Sequence, residues 1–295
     1  MSSGATAYFR WVLYCLYAVV LTVVLLYVRF PTTQFNEYCL RQARELFTGS
    51  DCRIGRISYA FPLSLRFENV TFFKPGQEKN PHVVLTSLSI TPVPADILQA
   101  IDLRGTGYSG KFSGILRRGQ EEKKFKLDTF RIQDMRLAQM KPFQDALGRE
   151  LSGRLDFSGS YSAEVNRYLA GNIEGKLTMR EGRMSLLQPI FALNAIDLSE
   201  MSMEIKYDKQ KLQMAKGKMQ GAELSADFSG TLNVISPWQL SQLATAGDIV
   251  LQPGFVQKNP RIQSEVDALK KRFKKSTIPF RVNGNLRKPA FRFGT

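Results

Sequence analysis

The chain opens with one unbroken apolar run and then changes its hydrophobic period twice. From Trp11 to Val28 the sequence WVLYCLYAVVLTVVLLYV carries no charge, with Arg10 before it and Arg29 after it. As a helix at ~1.5 Å rise per residue it reaches roughly 27 Å, close to the ~30 Å hydrocarbon core of a bilayer. The pattern predicts a single membrane anchor over residues 1–30. Trp11, Tyr14 and Tyr27 lie toward its ends, where amphipathic rings favour the interface, and Leu21 and Leu25 lie within the apolar stretch. VRFPTTQFN, which follows, offers no small-x-small cleavage site, so an uncleaved signal anchor is expected. No second run of this length occurs, and residues 31–295 are expected to form one body on one side.

After Pro31 the period is helical: Phe35, Cys39, Ala43 and Leu46 share one face of a short helix over Phe35–Phe47, with Gly49 just past its end. The period then drops to 2. Leu63, Leu65 and Phe67 alternate with Ser64, Arg66 and Glu68. Met201, Met203, Ile205 and Tyr207 do the same, as do Leu224, Ala226 and Phe228. Further strands are expected at Val83–Ile90, Lys124–Ile132, Leu151–Phe157, Lys176–Met184, Leu212–Met219, Phe280–Leu286 and Ala290–Phe293. One wet and one apolar face is the habit of antiparallel sheets, so the fold is mostly β. Leu65, Phe67, Phe112, Phe157, Met203, Ile205, Leu224 and Phe228 are the expected apolar interior. Two helical interruptions are predicted: a short turn over Pro237–Ala244, and a helix over Asn259–Lys275 with Asn259 as N-cap, Pro260 first, and Lys270, Lys271 and Arg272 near the cation-favouring end.

Glycines punctuate the strands. G-x-G-x-x-G at Gly105, Gly107 and Gly110 matches a dinucleotide fingerprint, yet KFSGILRRGQ after it has no helical stripe on which a phosphate could rest. A phrase recurs instead: KFSG at Lys111–Gly114, DFSG at Asp156–Gly159 and DFSG at Asp227–Gly230. Each phenylalanine is expected on the apolar face, with each glycine as a turn, bulge or bend at a strand end.

Charge adds a hint about partners. Lys and Arg number 41 against 26 Asp and Glu, for a net +15. Between Lys258 and Arg292, eleven Lys or Arg meet only Glu265 and Asp267. Lipid headgroups or an acidic partner fit better than nucleic acid, for which no recognition signature is present; a solvated helix face is the plain alternative. Arg29, Arg41 and Arg44 follow the anchor and only Arg10 precedes it, a balance that does not favour exporting the body.

Candidate chemistry is sparse. The lone histidine, His82, sits in the turn NPHV and is expected to be exposed. GNIEGKLT lacks a residue between its glycines and places Leu177 where a P-loop needs Ser or Thr. No G-x-S-x-G elbow occurs, and no carboxylates pair at a readable spacing. The expectation is a protein without catalytic residues, cofactor or metal. Cys15 lies in the anchor; Cys39 and Cys52 are either free or paired in an oxidising compartment.

LLYVRFPTTQFNEYCL, GSDCRIGRISYAFPLSLRFENVTFF, NIEGKLTMREGRMSL, GAELSADFSGTLNVISP and the ending IPFRVNGNLRKPAFRF together resemble the protein N (GspN) family of type II secretion systems, itself similar to AsmA-like proteins. The resemblance implies an inner-membrane anchor, a periplasmic body built as a long curled β-sheet with an apolar groove, and no catalytic residues. Two roles follow as expectations: an accessory component docking with other parts of a secretion apparatus, or a lipid-binding or lipid-transfer module holding phospholipid.

Overall fold

The computed structural model describes residues 3–28, 32–46, 50–60, 63–76, 78, 81–97, 99–119, 124–164, 171–235 and 237–294. Two helices come first, α1 (Ser3–Val28) and α2 (Thr32–Leu46). Strands β1 (Asp51–Ala60), β2 (Ser64–Phe73), β3 (Val83–Pro92), β4 (Ala100–Gly107), β5 (Gly110–Arg118) and β6 (Lys124–Arg136) lead to a short helix α3 (Lys141–Leu147). Then come β7 (Leu151–Glu164), β8 (Asn172–Ile190), β9 (Leu193–Asp208), β10 (Lys211–Gly221), β11 (Leu224–Asn233) and β12 (Gln242–Leu251). Helices α4 (Pro253–Gln257) and α5 (Pro260–Phe273) precede β13 (Ile278–Asn285) and β14 (Lys288–Phe293).

Every strand pairs antiparallel with its neighbours in sequence, giving one 14-stranded sheet in the order β1 to β14 that does not close. Matched alternation in adjacent strands keeps apolar side chains in register on one face. Phe67 stands opposite Leu88, then Gly105, Phe112, Ile132 and Phe157 in successive strands, and the same row runs on through Leu177 to Met203.

The sheet curls. Phe191, in the turn between β8 and β9, meets Phe293 of β14 at 4.9 Å between ring centroids. Five strand steps would hold β9 and β14 ~24 Å apart in a flat sheet. Phe143 of α3 likewise stacks on Trp238, 5.4 Å away in the β11–β12 connection. The curl encloses a core that includes Leu198, Leu224, Ile249, Ile278 and Phe280, into which α5 inserts Ile262 and Val266. A second, smaller cluster, Cys52, Ile57, Phe67 and Val70, is covered by Phe35, Cys39 and Leu40 of α2.

The recurring glycine phrases have a common cause different from strand ends. Each phenylalanine lies over a glycine of the adjacent strand, Phe112 over Gly105, Phe157 over Gly175 and Phe228 over Gly217. A side chain on any of the three glycines would collide with the ring, so the glycines make room for it. Gly159 and Gly230 sit mid-strand against neighbouring backbone, and Gly114 sits where the β5–β6 register shifts. In the fingerprint-like segment, Gly107 and Gly110 pair directly across a two-residue hairpin whose Tyr108 and Ser109 have φ of 51° and 60°. This is a tight turn matched to strand twist, with no helix behind it.

Other expectations change. Only Trp238–Leu240 forms a helical turn, a 3-10 one, and β12 begins at Gln242 because the chain there pairs with β11 and β13. Asn259 holds the N-cap position of α5 as expected, with its carbonyl oxygen accepting from Ile262 and Gln263 N–H, but its side chain makes no cap hydrogen bond: Nδ2 donates instead to the Phe255 carbonyl oxygen at 2.9 Å, at the end of α4 just before it. His82 is half-buried, with Nε2 enclosed and unpartnered among the described residues; the Tyr108 hydroxyl, folded back from the β4–β5 hairpin, donates to its carbonyl at 3.1 Å and accepts from Val84 N–H at 3.2 Å. Burial raises the Tyr108 hydroxyl pKa.

Helix α1 exposes Trp11, Tyr14, Leu21 and Leu25; the side chain of Tyr27 lies outside the described residues, as do those of Ala43 and Leu46 in α2. Among the described residues no helix is long and apolar enough to cross a membrane.

Candidate functional site

Antiparallel alternation brings an apolar concavity to the inside of the curled half. Met201 and Met219 face one another in directly paired positions of β9 and β10, and the same row continues through Ala226 and Ile249 to Ile278. Around this row a cavity of about 240 Å³ is lined by Met201, Met219, Leu224, Phe228, Ile249 and Phe280. Its other side is the tip of the long β8–β9 hairpin, contributing Met184, Leu186 and Ile190. The β8–β9 ladder is interrupted between Ser185 and Ile190, and Phe191 at the tip anchors on Phe293. The hairpin therefore bends across the sheet and roofs the space.

Among the described residues one charged side chain lines the cavity. Arg149 follows Gly148, the left-handed residue (φ 66°) that ends α3, and that sharp exit turns Arg149 toward the outer part of the hairpin, where the Glu150 carbonyl accepts from Ser185 N–H. Burial lowers the pKa of its guanidinium, and no ion pair or hydrogen bond joins its side chain to another described residue. Arginine remains cationic at any physiological pH, so the cavity presents apolar walls and one unpaired positive charge. Such a site suits a molecule with an apolar tail and an anionic head.

Of the eight expected interior residues, Leu224 and Phe228 line this cavity. Phe67, Phe112, Phe157 and Met203 share the long cross-sheet row already described, Phe67 within the cluster under α2. Leu65 lies beside that row opposite Tyr59 and Ile90, and Ile205 lies opposite Gly175 and Met214. All eight are buried or half-buried, but they do not converge on one place. Arg149 and the Met184–Ile190 arm carry no sequence signal, because only the curl brings them to the row of Met201 and Met219.

Other ionisable groups pair or are buried away from this cavity. On the opposite face Arg180 donates to Asp156 at 2.7 and 3.0 Å and to Asp134 at 3.1 Å, which holds its pKa up, chiefly through the Asp156 hydrogen bonds. Cys39 and Cys52 are free thiols; burial, then the nearby Cys39, pushes Cys52 up to about 11. Among the described residues no three His, Cys, Asp or Glu side chains gather as a metal site. Set against protein-family models, curated proteins and solved structures, the chain matches none.

Proposed function

We propose that this protein is a non-enzymatic lipid-handling module: the curled half of its sheet takes an acyl chain into the apolar cavity and sets an anionic head against Arg149. The observation that carries the reading is the cavity itself, walled by methionine, leucine, isoleucine and phenylalanine side chains with a single unpaired cation among its lining residues. At ~30 Å³ per water-sized volume, about 240 Å³ is room for part of one chain, not for two. Methionine-rich walls suit such a tail, because an unbranched thioether adapts to chains of differing length. The anchor at residues 11–28 belongs to the same proposal. Its uncharged sequence and the outward-facing Trp11, Tyr14, Leu21 and Leu25 support residence at a bilayer, with the body in the periplasm as the protein N resemblance implies.

The test is displacement of a fluorescent fatty acid from the full-length chain in neutral detergent. Wild type should bind it saturably, and Met219→Trp, which fills the cavity, should abolish binding while the far-ultraviolet spectrum stays β-rich. Equal binding by both proteins would remove the cavity from the reading.

A second reading, an accessory component of a type II secretion system, is favoured by a different observation. The sheet is open, so β1 and β14 each keep one edge without a strand partner among the described residues. Free edges are templates for pairing with another protein. Crosslinking from Arg53 or Arg292, exposed positions on those strands, should then capture secretion components in cells that carry them; unchanged export after deletion of the gene would count against this role.

A further inference from the structure

The polar face of the N-terminal half carries a pattern that an acyl-binding cavity does not use. Across β2 to β6 the directly paired outer residues read Arg66, Ser89, Arg104, Ser113, Arg131. The alternation extends to Ser58 of β1 on one side and to Ser158 and Lys176 on the other. A cation thus stands on every second strand, a repeat of about 10 Å, with a hydroxyl between each pair. The five central residues line one concavity of about 440 Å³, floored by a second row that adds Ser87, Thr106, Lys111 and Gln133. Arg66 and Arg104 lean on Glu68 and Asp102 at 3.4 and 2.7 Å, whereas Arg131 and Lys111 have no ion-pair partner among the described residues.

From this we infer that the outer groove of β2–β6 binds an acidic polysaccharide, its chain laid across the strands with recurring anionic groups on Arg66, Arg104 and Arg131. Guanidinium forks match carboxylate, sulfate or phosphate oxygens, and the interleaved serine and threonine hydroxyls match the hydroxyl-rich stretch of sugar between charges. A glycan with one anion per disaccharide repeats on the same scale as the cations. Single-stranded nucleic acid would call for aromatic platforms on this face, and the one aromatic residue lining the groove among the described residues, Phe112, turns its ring to the opposite, apolar face over Gly105. A concave groove also contacts a chain along its length, which a flat bilayer surface does not allow.

The inference stands independently of the lipid reading. It is tested by titrating full-length protein in neutral detergent with a hyaluronan octasaccharide, which carries one carboxylate per disaccharide. Wild type should bind, and Arg104→Ala with Arg131→Ala should weaken binding about tenfold or more, the scale of losing hydrogen bonds to charged groups. Removing three charges from α5 (Lys270→Ala, Lys271→Ala, Arg272→Ala) should change it less than about twofold, because that patch is outside the groove and screened. Equal losses in the two variants would reduce the effect to net charge and overturn the inference. So would no binding by wild type, or binding to anionic phosphatidylglycerol vesicles without binding to the oligosaccharide. Should the alanine pair fail to fold, Arg104→Lys with Arg131→Lys keeps the charge and loses the fork, and Ser89→Ala with Ser113→Ala removes only hydroxyls; both should weaken binding, and wild-type affinity in both would overturn the inference.

Discussion

The two ends of the sheet are built from the same kind of strand and buried by different means. In β7 to β14 the sheet covers itself, and the buried cluster there gathers thirteen residues from five of those strands, α5, the β8–β9 turn and Leu137 just after β6. At β1 to β3 the cover among the described residues is α2, and the buried cluster holds four residues. Between them, on β4 to β6, Leu103, Phe112 and Ile132 share the apolar face and stay only half-buried. Alternation decides which face is apolar; curvature decides whether that face becomes a core, a cavity or an open surface. The cavity arises where curling is strong enough to roof the face and the hairpin arm bridges without filling it.

If the curled end is the folding nucleus of the body, damage there should cost most. Leu224, 1% exposed, is the sharpest case: Leu224→Ala should destabilise by about 2–5 kcal/mol, read as a shift in the urea midpoint. Gly105→Val strikes the flatter end. A side chain there collides with the Phe112 ring and approaches the Ser87 carbonyl oxygen within 2.6 Å, and overpacking of this kind costs about 1–3 kcal/mol. Hydrogen exchange should then rise in β3 to β5 and leave β11 to β13 protected; the reverse would break the comparison. Trp238→Ala removes the stack on Phe143, worth about 0.5–1.5 kcal/mol beyond buried area, and should loosen α3 and the curl with little effect on β1 to β3.

The smallest effect concerns pH at the α2 end. The Cys52 thiol is held at about 11 in the folded state against 9.0 for a free thiol, so between those values the folded chain keeps a proton that the unfolded chain has lost. Stability from this group is whole below pH 9 and falls as pH rises toward 11. Thermal melts should show that alkaline decline, and Cys52→Ala should flatten it while lowering the melt at neutral pH.

How much of this was legible in the chain follows from where alternation is clean. Strands β2, β9 and β11, with Leu65 and Phe67, Met203 and Ile205, and Leu224 and Phe228, announce both their existence and their inward face. Strand β1 does not, because its inward set passes from even positions, Cys52 and Ile54, to odd ones, Ile57 and Tyr59, at Gly55. Strands β4 and β12 are diluted by Gly105, Gly107, Thr245 and Gly247 at inward positions, where neighbouring rings and backbone need the space. The glycine phrases were visible as repeats, but their role was not, since the phenylalanine and the glycine it covers lie on different strands. Arg149 was illegible for a related reason: nothing local distinguishes it until the curl brings β8 and α3 together.

The most direct measurement of the central claim is native mass spectrometry of the full-length protein released from neutral detergent after expression in a bacterial membrane. The account predicts one bound acyl lipid per wild-type chain, lost in Met219→Trp and weakened in Arg149→Gln with a preference for anionic heads removed. A lipid-free wild-type chain, or a lipid retained unchanged by both variants, would contradict it.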